Sequence, residues 1–323
     1  MTAAGAILAL VLAAPVPDAT AAREKITVQA SLVPLNPADP SQRGVGPLVF
    51  RGGLALRSED RRFGGLSDLA VSADGQRLAA VSDEGCFLEA RLLYDPRGFL
   101  SGIDGASLHV LRDTLGKPLQ GKWNQDAEAL AQMGDGSFVV GFERSHRLWH
   151  YPSGPDGPAQ SIAAPPGLDS APANGGLETL VLIPPDRLLA LTEESVRDGV
   201  VEGWLGKGGS WHRIGYRASG PLRPSGGCRL PSGDVLVLER HYTPASGVTA
   251  RLRRLAAASI TPGAVLDGSV LATLTRPLTV DNFEGLACRS GKSGETLLYL
   301  LSDDNFAADQ RTLLLMFMFR DGS

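Results

Sequence analysis

The chain has 323 residues, a formal charge of -4, 39 glycines and 22 prolines. That length can bury a sizeable core, and acids and bases are interspersed, so there is no basic stripe to track a phosphate backbone and nucleic acid is excluded as a partner. Glycine and proline concentrate between short apolar runs and long amphipathic helical stretches are scarce, which points to many strands joined by tight turns.

In chain order, Ala3 to Ala14 is an uncharged apolar run, too short to span a bilayer. It is followed by Pro15, Pro17 and an Ala19-Thr20-Ala21 site of small-x-small type. This predicts a signal peptide over residues 1–21 and export to the periplasm or beyond, although the segment before the run lacks Lys and Arg. Residues 22–52 are expected as an N-terminal extension containing the Pro-rich stretch Pro34 to Pro47. No later stretch is long and apolar enough to cross a membrane, and a monomer is expected.

Five related segments follow. They begin at Gly64 (GGLSDLAVSADGQRLAAVSDEG), Gln125 (QDAEALAQMGDGSFVVGFER), Gly175 (GGLETLVLIPPDRLLALTEE), Ser225 (SGGCRLPSGDVLVLER) and Asn282 (NFEGLACRSGKSGETLLYLLSDD). Each reads as two apolar strands around a turn. Aligned on Leu69, Leu130, Leu180, Leu230 and Leu286, they lie 61, 50, 50 and 56 residues apart. The intervening stretches supply two more strands per unit: Phe87–Tyr94 and Ala106–Leu111, Arg147–Tyr151 and Ala159–Ala163, Val200–Leu205 and Trp211–Tyr216, Ala250–Leu255 and Ser269–Leu274. A period near fifty residues with four strands per unit is the pattern of an all-β propeller, here a single domain over residues 53–323. After the fifth copy only Leu313–Arg320 remains, so Gly53–Arg57 is expected to supply the missing strand and close the ring, removing free edges. Five blades are counted. A sixth, built from Lys25–Leu35 and irregular loops, is the alternative.

Function follows from where the carboxylates fall. The start of a blade's first strand and the end of its second lie at the same face. Two residues before the aligned leucine stand Ser67, Glu128, Glu178, Cys228 and Glu284; the second strands end at Asp83, Glu143, Glu193, Glu239 and Asp303, with Arg144, Arg240 and His241 beside them. Acids crowded at one mouth either raise one another's pKa values or require a cation. A hard divalent ion, calcium as the expected one, suits ligands contributed by several blades, and Asn124, Asn174 and Asn282 add neutral donors. Paired acid and base chemistry is the other use of such a site. Recurrence from blade to blade also has a plain structural reading, since each unit needs the same turns.

The three cysteines have no metal-type spacing. Cys228 and Cys288, on neighbouring first strands, are the one candidate pair, and small buried hydrophobes are the favoured reading for all three, Cys86 included.

The stretches GGLSDLAVSADGQRLAAVSDEG, DAEALA, NGGLETL, LERHY, DNFEGLA, LLSDDNF and QRTLLL together resemble the bacterial exported family called phytase-like, or esterase-like activity of phytase, from about Gly53 to the C-terminus. The resemblance implies a β-propeller, export, and hydrolysis of an ester or phosphoester. The motif positions it touches are Asp68, Asp83, Glu84, Glu128, Glu178, Glu193, Glu284 and Asp303. The chain lacks the Arg-His signature of histidine phosphatases, so phosphate chemistry would follow the metal-assisted route of calcium-dependent propeller phytases. The resulting expectation is a small-molecule phosphate or carboxylic ester hydrolase in which Glu128, Glu178, Glu193 and Glu284 hold metal. Asp83 or Asp303 acts as base, and Arg144 and Arg240 receive an anionic group. The alternatives are a lactonase-like metal-dependent propeller and a non-catalytic module that binds a ligand or partner through the same mouth.

Overall fold

The computed structural model describes residues 24–319; the segment expected as a signal peptide lies outside them. Five sheets, antiparallel except for one short parallel pairing of Val265–Leu266 at the outer edge of the third, are arranged as blades. Their innermost strands are Leu66–Val71, Ala127–Gln132, Leu177–Ile183, Arg223–Arg229 and Asn282–Ser290, belonging to blades 1 to 5 in that order. Each inner strand packs against the next and the fifth against the first, so the ring is closed. Closure uses both ends of the chain: Thr312–Phe319 pairs with Leu48–Ser58 in blade 5, with Leu314 opposite Leu54.

Lys25–Leu35 forms no sixth blade. Glu24–Lys25 extends the outer edge of blade 1, and Val28–Leu32 pairs with residues 54–58 at the outer edge of blade 5. The stretch expected as an extension is therefore part of two blades and joins the first to the last.

The core is distributed between the blades. Five apolar clusters occupy the five interfaces: Leu88, Tyr299 and Leu301 are fully buried between blades 5 and 1, for instance, and Trp204, Leu177 and Leu148 between blades 2 and 3. Alternation along each strand lets one sheet serve two such interfaces. Each fully buried leucine contributes roughly 1.5–3 kcal/mol.

Two features tie the inner strands further. The buried Asp68 carboxylate accepts the Leu69 and Leu130 backbone N–H groups at 2.8 Å each and is also hydrogen-bonded by the Leu286 backbone, so one side chain joins blades 1, 2 and 5. Cys228 and Cys288 form a disulfide between the inner strands of blades 4 and 5, with Cα atoms 5.5 Å apart. This corrects the favoured reading of both as small hydrophobes; only Cys86 is a buried free thiol. Farther along the inner strands, a cavity of about 190 Å³ is lined by Leu69, Leu130, Leu180 and Leu286, with Gln132 and Arg229 also on its wall.

Candidate active site at the propeller mouth

One local irregularity builds the mouth. In every blade the pairing of the first two strands slips by one residue near the start of the inner strand, between Leu66 and Asp68, Ala127 and Ala129, Leu177 and Thr179, Pro224 and Gly226, and Phe283 and Gly285. The extra residue of such a bulge is left out of the ladder, and bulges re-aim side chains where they occur. The five extra residues are Ser67, Glu128, Glu178, Ser225 and Glu284. Beside them, at the ends of the second strands, stand Asp83, Glu143, Glu193, Arg240 and Asp303.

This register corrects the reading of the fourth copy. Gly227, not Leu230, occupies the position of the other leucines, so Ser225 replaces Cys228 in the inner ring and Arg240 replaces Glu239 in the outer one. Glu239 points instead between blades 3 and 4. There it accepts a hydrogen bond from the Tyr216 hydroxyl at 2.8 Å and pairs with Arg253 at 3.3 Å.

On the side of blades 2 and 3 the acids crowd together. Oxygens of Asp126, Glu128 and Glu143 lie within 4.8 Å of one another. Asp126 is paired, by Lys122 Nζ at 2.7 Å and Arg144 Nε at 2.6 Å. Glu143 Oε1 accepts the Gly175 N–H at 2.8 Å and the adjacent Gly176 N–H, and Glu143 shares a hydrogen bond with Glu178. Among the described residues no cation lies within ion-pair distance of Glu128 or Glu178. Burial comes first in raising these carboxyls. It pushes Glu128 well above the ordinary range, helped by Glu284, Asp126, Glu143 and Asp83, and does the same to Glu178, helped by Glu128, Glu143, Glu193 and Glu284. Burial carries Glu143 up to about 7 despite its glycine donors. Acids in this state hold protons or accept a cation.

The opposite side is compensated. Arg240 Nη2 sits 3.2 Å from Glu193 and 3.1 Å from Glu284, and Asn282 Nδ2 donates to Glu284 Oε1 at 2.9 Å. Burial still raises both glutamates, with Arg240 opposing it. Asp303 is pushed up to about 7 by burial, against a 2.7 Å hydrogen bond from the Asn305 N–H. Asp83 is raised by burial while Lys122, at 2.6 Å, pulls the other way.

All eight residues expected at the site, Asp83, Glu128, Arg144, Glu178, Glu193, Arg240, Glu284 and Asp303, therefore meet at one mouth. Their surroundings differ from expectation. Arg144 faces Asp126, with Nη2 3.5 Å from Asn174 Oδ1, and Arg240 is engaged by two of the glutamates assigned to metal. Asp68 ties backbones rather than lining the mouth. Two participants went unassigned: Asp126, the residue just before the blade 2 inner strand, and Lys122, on the one-turn helix Lys122–Gln125. Asp126 was legible as the acid two positions before Glu128. Lys122 carries no repeat signal.

An all-oxygen set of partly desolvated carboxylates fits a hard divalent cation by ligand type. Among solved structures, the chain is similar to a gluconolactonase from Xanthomonas campestris at 16% identity, with a TM-score of 0.46 over 95% of this chain and 98% of that one. It is likewise similar to a putative gluconolactonase at 16% identity and TM-score 0.44, over 93% and 91% of the two chains. A virginiamycin B lyase from Staphylococcus aureus follows at 8% identity and TM-score 0.42, over 91% and 100%. Likenesses of this size support no argument about activity. No curated protein matches the chain. The model of the family described as phytase-like, esterase-like activity of phytase, matches residues 61–306, and the chain belongs to that family.

Proposed function

We propose that the chain is an exported, metal-dependent hydrolase of phosphate or carboxylic esters, working at the acidic mouth. The observation that carries this reading is the approach of Asp126, Glu128 and Glu143 to within 4.8 Å of one another, with Glu178 hydrogen-bonded to Glu143. The metal set is accordingly Glu128, Glu143 and Glu178, with Asp126, already paired by Lys122 and Arg144, beside them; Glu193 and Glu284 are engaged by Arg240. A bound divalent ion supplies Lewis-acid polarisation of the ester oxygen. A lactone is an internal ester and falls in the same reaction class.

The chain's own residues do the rest. Asp303, held near pH 7 in its titration, can take or give a proton at neutral pH, where matched pKa makes proton transfer efficient. Asp83 is oriented by Lys122 and Asp126 by Lys122 and Arg144, which fixes one wall of the mouth. Arg240, on blade 4, reaches Glu193 of blade 3 and Glu284 of blade 5, and its guanidinium is the group assigned to an anionic part of the substrate.

The test is metal analysis of the purified protein coupled to a panel of phosphate and carboxylic esters, with and without chelator. Bound divalent ion and chelator-sensitive turnover are expected. A chelator that changes neither the melting temperature nor turnover of any ester would sink the proposal.

A further inference from the structure

A cleft of about 590 Å³ opens off the mouth between blades 4 and 5, with Arg240 and Glu284 at its inner end. Its volume is that of a small-molecule site. Outward from these two, its wall carries Tyr242, Arg276, Asn282, Asn305, Asp309 and Gln310. Tyr242 is 61% exposed, one of only three aromatic side chains so exposed among the described residues. Arg276 lies across the backbone of Gly247, where a Cβ would sit 3.2 Å from its Nε. It has no carboxylate within ion-pair distance among the described residues.

The charges of the cleft cancel. Arg240 pairs with Glu284 at 3.1 Å and Arg311 with Asp281 at 3.2 Å, which leaves Arg276 and Asp309 as one cation and one anion. A polyanion would meet Asp309 and Asp281 as well as the arginines, so the cleft offers it little. A hydroxyl, by contrast, both donates and accepts. A wall that mixes obligate donors (Arg276), obligate acceptors (Asp309) and amides that do both (Asn282, Asn305, Gln310) matches several hydroxyls on one ring. The exposed face of Tyr242 matches the apolar C–H face of that ring.

We propose that this cleft recognises the non-reacting part of the substrate and that this part is a neutral, polyhydroxylated ring, a monosaccharide or cyclitol unit. The proposal rests on the ester-hydrolase reading for its place in a reaction, but recognition of the ring can be measured without any turnover.

The experiment is titration calorimetry of the full chain with methyl glucoside, myo-inositol, benzoate and inositol hexakisphosphate. Parallel kinetics compare 6-O-acetylglucose with ethyl acetate. A neutral ring compound is expected to bind where benzoate does not, and more tightly than the hexakisphosphate. Tyr242→Ala should weaken that binding by roughly fivefold. Arg276→Gln and Asp309→Asn should each weaken it by roughly tenfold, the low end for a lost hydrogen bond to a charged group. Lys292→Gln, on an exposed turn, should change nothing. For the sugar ester the variants should raise KM and leave kcat. Because these side chains are exposed, an unchanged melting temperature separates lost recognition from lost folding. Ring binding without hydrolysis of any ester sinks the hydrolase reading and keeps this one. Ester hydrolysis with no binding of a neutral ring, tighter binding of the anions, or an unaffected Tyr242→Ala variant overturns the recognition proposal.

Discussion

Blades 2 and 3 and blades 4 and 5 meet the mouth with the same bulge, yet the two sides reach opposite electrostatic outcomes. Around Glu128, Glu143 and Glu178 the acids face one another, and neither Glu128 nor Glu178 has a cation within ion-pair distance among the described residues, although the charge of Arg240 is felt at Glu178. Across the channel, Glu193 and Glu284 share Arg240. Blade 4 makes the contrast: its second strand carries Arg240 at the position that holds Asp83, Glu143, Glu193 and Asp303 in the other four, and its bulge holds Ser225 in place of a glutamate. Repetition supplies the geometry. Breaking it in one blade divides the acid ring into a half that calls for an added cation and a half that carries its own.

The largest effect is expected on the uncompensated side. Glu128→Gln, and separately Glu143→Gln, should lower ester turnover by on the order of 10²–10⁴-fold. Because each removes a repelled carboxylate, the chelated protein should melt no lower than the parent. Activity assays and thermal melts on one preparation check both halves. Retained turnover, or a large loss of stability, would show that these acids are structural.

On the compensated side, Arg240→Met should act mainly on stability. Removing one partner of a buried ion pair leaves charge stranded, at a cost of about 3–5 kcal/mol, and here two glutamates are stranded. Urea unfolding measures it. The contrast sharpens if added calcium restores part of that loss, because the variant leaves Glu193 and Glu284 without a cation in ion-pair contact, as Glu128 and Glu178 already are. A loss that calcium leaves untouched would mean that removing the arginine alone does not create a cation site.

The disulfide belongs to the compensated side and is expected to matter less to the site than to the fold. Cys228 and Cys288 are 60 residues apart in sequence, and closing a loop of that size stabilises by about 4 kcal/mol in the chain-entropy model, with 2–4 typical in practice. Reduction, or Cys228→Ser with Cys288→Ser, should lower the melting temperature, while the acid cluster of blades 2 and 3 keeps its response to calcium.

Much of this could be read from the residues alone. The fifty-residue recurrence fixes the blades, and the orphaned last strand predicts closure by Leu313–Arg320 with Gly53–Arg57, which the structure shows as the longer pairing of Thr312–Phe319 with Leu48–Ser58. The acids of blades 1, 2, 3 and 5 fall where the recurrence places them. Blade 4 misled because its inner strand begins Pro224-Ser225-Gly226-Gly227: with no large apolar side chain at the aligned position, Leu230 was the nearest leucine, and the register slid by three residues. Gly226 is small for a reason, since a Cβ there would lie 2.1 Å from the Glu284 carbonyl oxygen of the next inner strand. Lys122 was invisible because it comes from a connection between blades, where neither period nor alternation applies, and the Arg240 contacts were invisible because they cross three blades.

The smallest effect, and the one that tests both sides together, is the pH dependence of stability. Glu143 and Asp303 are carried from ordinary carboxylate values to about 7 in the folded chain. Their folded forms thus bind protons that the unfolded chain has released, so between roughly pH 4.5 and 7 the native state holds more protons and stability falls as pH rises. The stability linked to these two groups is fully present below their unfolded values and is lost as pH passes through their folded ones. In chelator, the melting temperature should therefore decline across that window. With calcium present the decline should shrink, because a cation replaces the protons on Glu143, whereas Asp303, outside the proposed metal set, keeps its share. Asp303→Asn should reduce that residual slope, and Glu143→Gln should reduce the calcium-sensitive part, to which the raised Glu128 and Glu178 also contribute. Melting curves that rise with pH through this window would mean that the mouth acids are ionised and paired, and the division between the two halves would lose its physical basis.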